Sequence, residues 1–192
     1  MSKLILIPTP IGNLGDITQR AVECIKNVDI LLCEDTRRSL KLLNHLKIKK
    51  TLKSFHKFNE HSTVGKVINE IESGLMVGLI SDAGTPSISD PGYLIVKMCI
   101  DNNIEVECLP GPTALIPALA VSGLPSERFV FEGFLPVKKG RKTRLEELSK
   151  EKRTMIFYES PYKLYKTLQD FSNFFGPDRE ISISKELTKI FE

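Results

Sequence analysis

"MVGLISDAGTPSISDPG" (residues 76–92) runs five apolar residues straight into a segment with two Ser-Asp steps, two glycines and two prolines. The apolar part reads as a strand covered on both faces. A surface turn needs far fewer chain-breaking residues than follow it. The polar part therefore reads as a ligand loop at the strand's carboxyl end. Asp82 stands where a carboxylate meets hydroxyls or a cationic ligand. Ala83 and Gly84 leave room for a ligand against the main chain, and Asp90 reads as a helix cap.

The same alternation extends in both directions. Strands are expected at 4–7, 28–33, 76–80 and 106–109, and helices at about 17–27, 36–46, 62–73 and 92–102. That order specifies a mostly parallel α/β sheet, whose polar turns collect at the strands' carboxyl ends. Asp16 with Gln19 has capping-box spacing, and Asp90-Pro91 and Ser160-Pro161 have the form of helix starts. After "TALIPALAVSG" (113–123) the pattern becomes strand (128–134), basic helix (141–152), strand (155–159), helix (161–175) and strand (180–185). Two domains are expected, 1–115 and 116–192, the second truncated before its last strands.

The chain has 192 residues, 41% hydrophobic and 27% charged, which is globular composition. A net charge of +3 permits a nucleic-acid partner without arguing for one. No apolar run approaches the roughly 18 residues of a membrane span, and residues 1–10 lack signal-peptide form. A cytoplasmic protein without membrane attachment is expected. Cys24, Cys33, Cys99 and Cys108 form no CxxC pair and read as buried, reduced thiols. His45, His56 and His61 lack cysteine partners at zinc spacing, so no metal is expected.

Four more segments exceed the needs of plain turns. "PTPIGNLGD" (8–16) follows the first strand but is not GxGxxG, so a dinucleotide fingerprint is absent. "PGPTA" (110–114) fixes a turn that presents Thr113. "EDTRR" (34–38) crowds Glu34, Asp35, Arg37 and Arg38 at one helix start, where guanidinium groups suit phosphate. The run 138–153 carries eight Lys or Arg against three Glu, either a solvated helix face or a phosphate footprint.

Taken in order, "PTPIGNLGDIT", "LLCEDTRRS", "SDAGTPSISDPG", "LPGPTALIPALAVSGLP", "FEGFLP", "FYESP" and "KELTK" resemble the tetrapyrrole (corrin/porphyrin) methylase-like superfamily. Within it they are similar to the branch that methylates the ribose 2'-hydroxyl of a decoding-centre cytidine in 16S rRNA. The resemblance implies a two-domain α/β fold, each domain a mixed, mostly parallel sheet flanked by helices, with S-adenosylmethionine in the interdomain cleft. It also implies a homodimer acting on 16S rRNA in the small ribosomal subunit. The family's cofactor positions fall on Pro8, Asp82, Ala83, Gly84, Thr85, Ile88, Thr113 and Ala114, and on Phe157 and Tyr158. A further contact is expected from beyond Glu192. A methyltransferase of a tetrapyrrole precursor and an inactive RNA-binding fragment are the alternatives.

A ribose hydroxyl is a poor nucleophile until a base takes its proton. The candidates are Glu34, Asp35, Glu159, Lys185 and Glu186, which the sequence does not rank. Arg37, Arg38, Lys138, Lys139, Arg141, Lys142 and Arg144 are the expected RNA contacts.

Overall fold

Successive apolar residues in each strand send their side chains to opposite faces, which is why a continuous apolar run requires cover on both sides. The computed structural model, which describes residues 2–192, supplies that cover. Its chain divides into two units: residues up to Ala114 together with Thr188–Phe191, and Leu115–Leu187 with Glu192.

In the first unit the strands are β1 (Lys3–Leu6), β2 (Ile30–Cys33), β3 (Leu52–Ser54), β4 (Met76–Ile80) and β5 (Val106–Cys108). They pair in parallel, in the order β3-β2-β4-β1-β5. The connecting helices are α1 (Gln19–Asn27), α2 (Thr36–His45), α3 (Glu60–Glu72) and α4 (Tyr93–Asp101). Ile5, Ile7, Leu31 and Cys33 pack with Ala21 and Ile25 of α1 and Leu43 of α2. Leu4, Leu6, Leu32, Val77 and Leu79 pack with Val64, Val67, Ile68 and Ile71 of α3 and Ile95 and Cys99 of α4. The unit is therefore a doubly wound sheet, with α1 and α2 on one face and α3 and α4 on the other.

The strand order places a switch point between β1 and β4. From β1 the chain moves toward β2 and β3, and from β4 it moves the other way, toward β5. Open α/β sheets bind ligands in the crevice outside the carboxyl ends at such a point. The loops that flank it are 7–16 and 81–92.

The second unit contains α5 (Leu115–Val121), β6 (Phe129–Phe134), α6 (Arg141–Leu148), β7 (Thr154–Tyr158) and α7 (Leu164–Phe175). β6 and β7 form a two-stranded parallel sheet. Leu135, Leu145 and Leu148 pack with Met155, Phe157, Phe171, Phe174 and Phe175.

Several expectations are corrected. The Asp16–Gln19 pair does not cap α1: Asp16 lies in a 3-10 turn, and Thr18 caps the helix by accepting from Ala21 N. Asp90-Pro91 and Ser160-Pro161 do not begin helices. The residues before the first turns of α4 and α7 are Gly92 and Lys163, because the polar segments form turns of their own first. Residues 180–185 form no strand; Ile181 and Ile183 face solvent, and no ladder among the described residues pairs with them. Cys33 and Cys99 are buried, but Cys24 is half-buried on α1 and Cys108 is exposed at the end of an edge strand. β3 lacks the apolar run that marks the other strands; its register against β2 (Leu31↔Leu52, Leu32↔Lys53) makes it a strand.

Phe55, directly after β3, is fully buried in the core against α3 and α4. Phe55→Ala is expected to lower unfolding free energy by about 3–5 kcal/mol through lost transfer energy and the cavity left behind. Urea denaturation checks this, with an unchanged slope showing that the loss lies in the native state.

Candidate active site

The loops at the switch point are tied together. Thr9 N donates to Gly84 O and Gly84 N to Thr9 O, both at 2.9 Å, as one antiparallel bridge. Thr9 Oγ1 donates to Ser81 O and Ser81 Oγ to Gly84 O, each at 3.0 Å. Thr85 Oγ1 donates to Pro112 O at 3.1 Å, which adds the loop after β5. Gly111 closes the cradle, since a Cβ there would lie 2.6 Å from Pro8 Cβ. Gly84 sits at φ +87°, in the left-handed region where glycine has no steric cost.

Two serines of the same loop, Ser87 at φ +71° and Ser89 at φ +63°, also hold left-handed conformations. Each costs roughly 1–2 kcal/mol for a residue with a Cβ. Backbone held this way persists only where its surroundings over-determine it, and such positions cluster at ligand clamps. Ser87 Oγ is buried with no hydrogen-bond partner.

Beside the bridge lies a cleft of about 170 Å³, lined by residues that include Thr9, Pro10, Leu14, Arg38, Ser81 and Asp82. Asp82 accepts from Asp35 N at 3.2 Å and pairs with Arg38 at 3.3 Å. Arg38 is 67% exposed, so the pair is weak and readily exchanged for a ligand. Glu34 and Asp90 add carboxylates nearby. Burial, and then the Asp82 charge, raise the Glu34 carboxyl above its ordinary range, while His56 and Arg38 oppose the shift. Burial, followed by the charges of Glu34 and Asp82, pushes Asp90 up to about 6. Asp35 is the reverse case. It caps α2 and takes two hydrogen bonds from the Arg37 guanidinium, which hold its carboxyl well below the usual range.

A family model for tetrapyrrole (corrin/porphyrin) methylases matches residues 3–192. The chain belongs to this family. Among curated relatives, ribosomal RNA small subunit methyltransferase I of Vibrio cholerae is 50% identical over 98% of this chain, which spans 66% of that relative. The protein of the same name from Thermotoga maritima is 48% identical over 100% of the chain and 86% of its own length. Among solved structures, uroporphyrin-III C-methyltransferase of Thermus thermophilus, complexed with S-adenyl homocysteine, aligns with TM-score 0.63 at 15% identity. That alignment covers 93% of this chain and 78% of the other, and it shows the shared fold.

The first unit brings Pro8, Asp82, Ala83, Gly84, Thr85 and Thr113 to one cradle. Ala83 and Ile88 are exposed along it, and Ala114 ends the unit. In the second unit the Phe157 ring packs at a tilt against Phe171 at 4.8 Å and stacks with Phe175 at 6.5 Å, so its side chain is spent on the core. Tyr158 packs edge-on against Phe131 at 5.1 Å. Arg141, 12% exposed, is committed to Asp170, Thr167 Oγ1 and Pro136 O. Arg144 grips Glu132 with two nitrogens and also pairs with Glu147. Sequence counts both arginines as surface charge; only the fold shows their acidic partners. Lys138, Lys139 and Lys142 remain exposed. Glu159 accepts from Thr167 Oγ1 and Ser160 N, while Lys185 and Glu186 lie on exposed chain. Sequence reasoning missed Asp90 as a perturbed carboxyl, because its spacing before Pro91 imitates a cap. Among the described residues, no group of three or more His, Cys, Asp or Glu is placed to hold a metal. Nor is any helix long and apolar enough to cross a membrane.

Asp90 titrates from 3.8 when unperturbed to about 6 in the fold. The folded chain thus binds this proton more tightly than the unfolded one. The stabilisation is complete below about pH 4 and is lost as pH rises through 6. Asp90→Asn is expected to be more stable than the parent at pH 7, with the gap closing toward pH 4. Urea midpoints across that range check it.

Proposed function

We propose that this chain is an S-adenosylmethionine-dependent methyltransferase of small-subunit ribosomal RNA, acting as a homodimer on the ribose 2'-hydroxyl of a decoding-centre cytidine. The observation that carries the reading is near-half identity along the whole chain to proteins named ribosomal RNA small subunit methyltransferase I. The tetrapyrrole-precursor alternative rests on neighbours such as the uroporphyrin-III enzyme, which at 15% identity supports the fold alone.

The cradle fits the cofactor. Its floor is main chain fixed by the Thr9–Gly84 bridge, its rim is small at Ala83, and its carboxylate at Asp82 is held by a weak, exposed partner. The unpartnered Ser87 Oγ leaves hydrogen-bonding capacity in the same loop. In this reading Asp82 takes cofactor hydroxyls or amine, and Ala83, Gly84, Thr85, Ile88, Thr113 and Ala114 shape the wall. Phe157 and Tyr158, which close β7 in the second unit, are the remaining positions the family resemblance assigns to the cofactor. When bound, the cofactor supplies a methyl group on a positively charged sulfur. The protein's task is to hold an acceptor oxygen in line with it, and positioning of that kind lowers barriers by several kcal/mol.

Of the five candidate bases, Glu34 suits proton acceptance best. It is half-buried after β2, and its raised proton affinity comes from burial and Asp82. Asp35 and Glu159 are consumed by internal hydrogen bonds. Arg37, Arg38, Lys138, Lys139 and Lys142 offer charge to RNA phosphates.

Labelled S-adenosylmethionine offered with small ribosomal subunits, free rRNA or a porphyrinogen tests the reading. Label in subunit ribose is expected, and label confined to the macrocycle would reject it. Asp82→Ala is expected to weaken cofactor affinity about tenfold or more by calorimetry. Glu34→Gln is expected to leave that affinity in place and lower kcat by about 10²–10⁴.

A further inference from the structure

Directly after β7 the chain makes a turn in which Lys163 N donates to Ser160 O at 2.9 Å, and then enters α7. This turn and first helical turn carry Tyr162, Lys163, Tyr165 and Lys166, all exposed. Tyr162 is 98% and Tyr165 75% exposed. Single exposed apolar residues are ordinary, but two aromatic rings within one turn, with lysines interleaved, are a surface of a definite kind.

The neighbouring acids do not neutralise it. Both Glu159 oxygens face inward, accepting from Ser160 N at 2.7 Å and Thr167 Oγ1 at 2.6 Å. Asp170 is taken by Arg141 at 2.8 Å. Lys163 and Lys166 make no ion pair among the described residues. The face therefore presents two rings and two ammonium groups without an ion-pair partner among the described residues. It also stands at the carboxyl end of β7, the end at which parallel strands present ligands.

We infer that Tyr162, Lys163, Tyr165 and Lys166 form a platform for unstacked bases of single-stranded RNA, with the rings stacking on bases and the ammonium groups meeting phosphates. Base–aromatic stacking tolerates any sequence because every base has a π-face, and the lysines add the salt-dependent part. A duplex keeps its bases paired and offers the rings nothing to stack on. A second copy of the chain fits poorly, because a two-fold contact through this face sets lysines against lysines. The inference rests on the RNA reading above and extends it to residues outside the basic run.

The test is fluorescence anisotropy of the whole chain with a labelled single-stranded RNA of about ten nucleotides, and with a duplex of equal length. The Tyr162→Ala, Tyr165→Ala double variant is expected to lose about tenfold or more in single-strand affinity, with duplex affinity held within about twofold. Tyr162→Phe with Tyr165→Phe should bind as the parent does. Single-strand affinity unchanged in the Ala pair overturns the platform. So does an equal fall for both RNAs, failure of the Phe pair, or a drop in sedimentation mass on substitution, which would mark the face as a contact between copies. Labelled-methyl transfer by the parent chain is measured alongside. No transfer with stacking intact rejects the enzyme reading alone; transfer with unchanged affinity in the Ala pair rejects the platform alone.

Discussion

The two hydrogen bonds between Thr9 and Gly84 set the geometry of the first unit's functional edge. They join the loop after β1 to the loop after β4, the two segments that leave the sheet in opposite directions. Without that tie the switch point would be a gap between independent loops. With it, both become one surface, and the Thr9 and Ser81 hydroxyls brace it from beneath. Gly84 is required there because the bridge imposes a positive φ. Main chain held by these paired hydrogen bonds has less freedom left to lose when it takes up a ligand.

The charge pattern at this edge follows from the same crowding. Glu34, Asp82 and Asp90 come together because they terminate or follow neighbouring strands. Burial, and then the Asp82 charge, raises the proton affinity of Glu34, while burial followed by the charges of Glu34 and Asp82 raises that of Asp90. Arg38 compensates one of them at 3.3 Å. Asp35 escapes the effect because α2 uses it as a cap and Arg37 closes on it. The proton affinities of two adjacent carboxyls, Glu34 and Asp35, thus shift in opposite directions, the first through burial and the second through the Arg37 hydrogen bonds.

Much of this was legible in the sequence. β1, β2, β4 and β5 announce themselves as apolar runs, and the glycine- and proline-rich segments mark the loops that meet at the switch point. β3 was not legible, because three residues including a lysine have no periodicity to read; pairing with β2 creates the strand. The reverse error occurred at 180–185, where alternating isoleucines imitate a strand that no ladder supports. Helix starts misled wherever a polar residue before proline formed a turn of its own. Arg141 shows the general limit. Its charge is plain in the sequence, but its half-buried partner Asp170 lies 29 residues away and is brought to it only by the packing of α6 on α7.

The open sides of the five-stranded sheet carry a last consequence. β3 and β5 are each three residues long. β3 bears Lys53, paired with Glu70, and β5 bears Glu107, paired with Lys3 and Arg20. A neighbouring molecule adding a strand at either side would meet a short rail guarded by charge and would have to break those pairs to extend it. The sheet is thereby protected from growing molecule by molecule into a fibre, although its interior strands are among the most apolar segments in the chain.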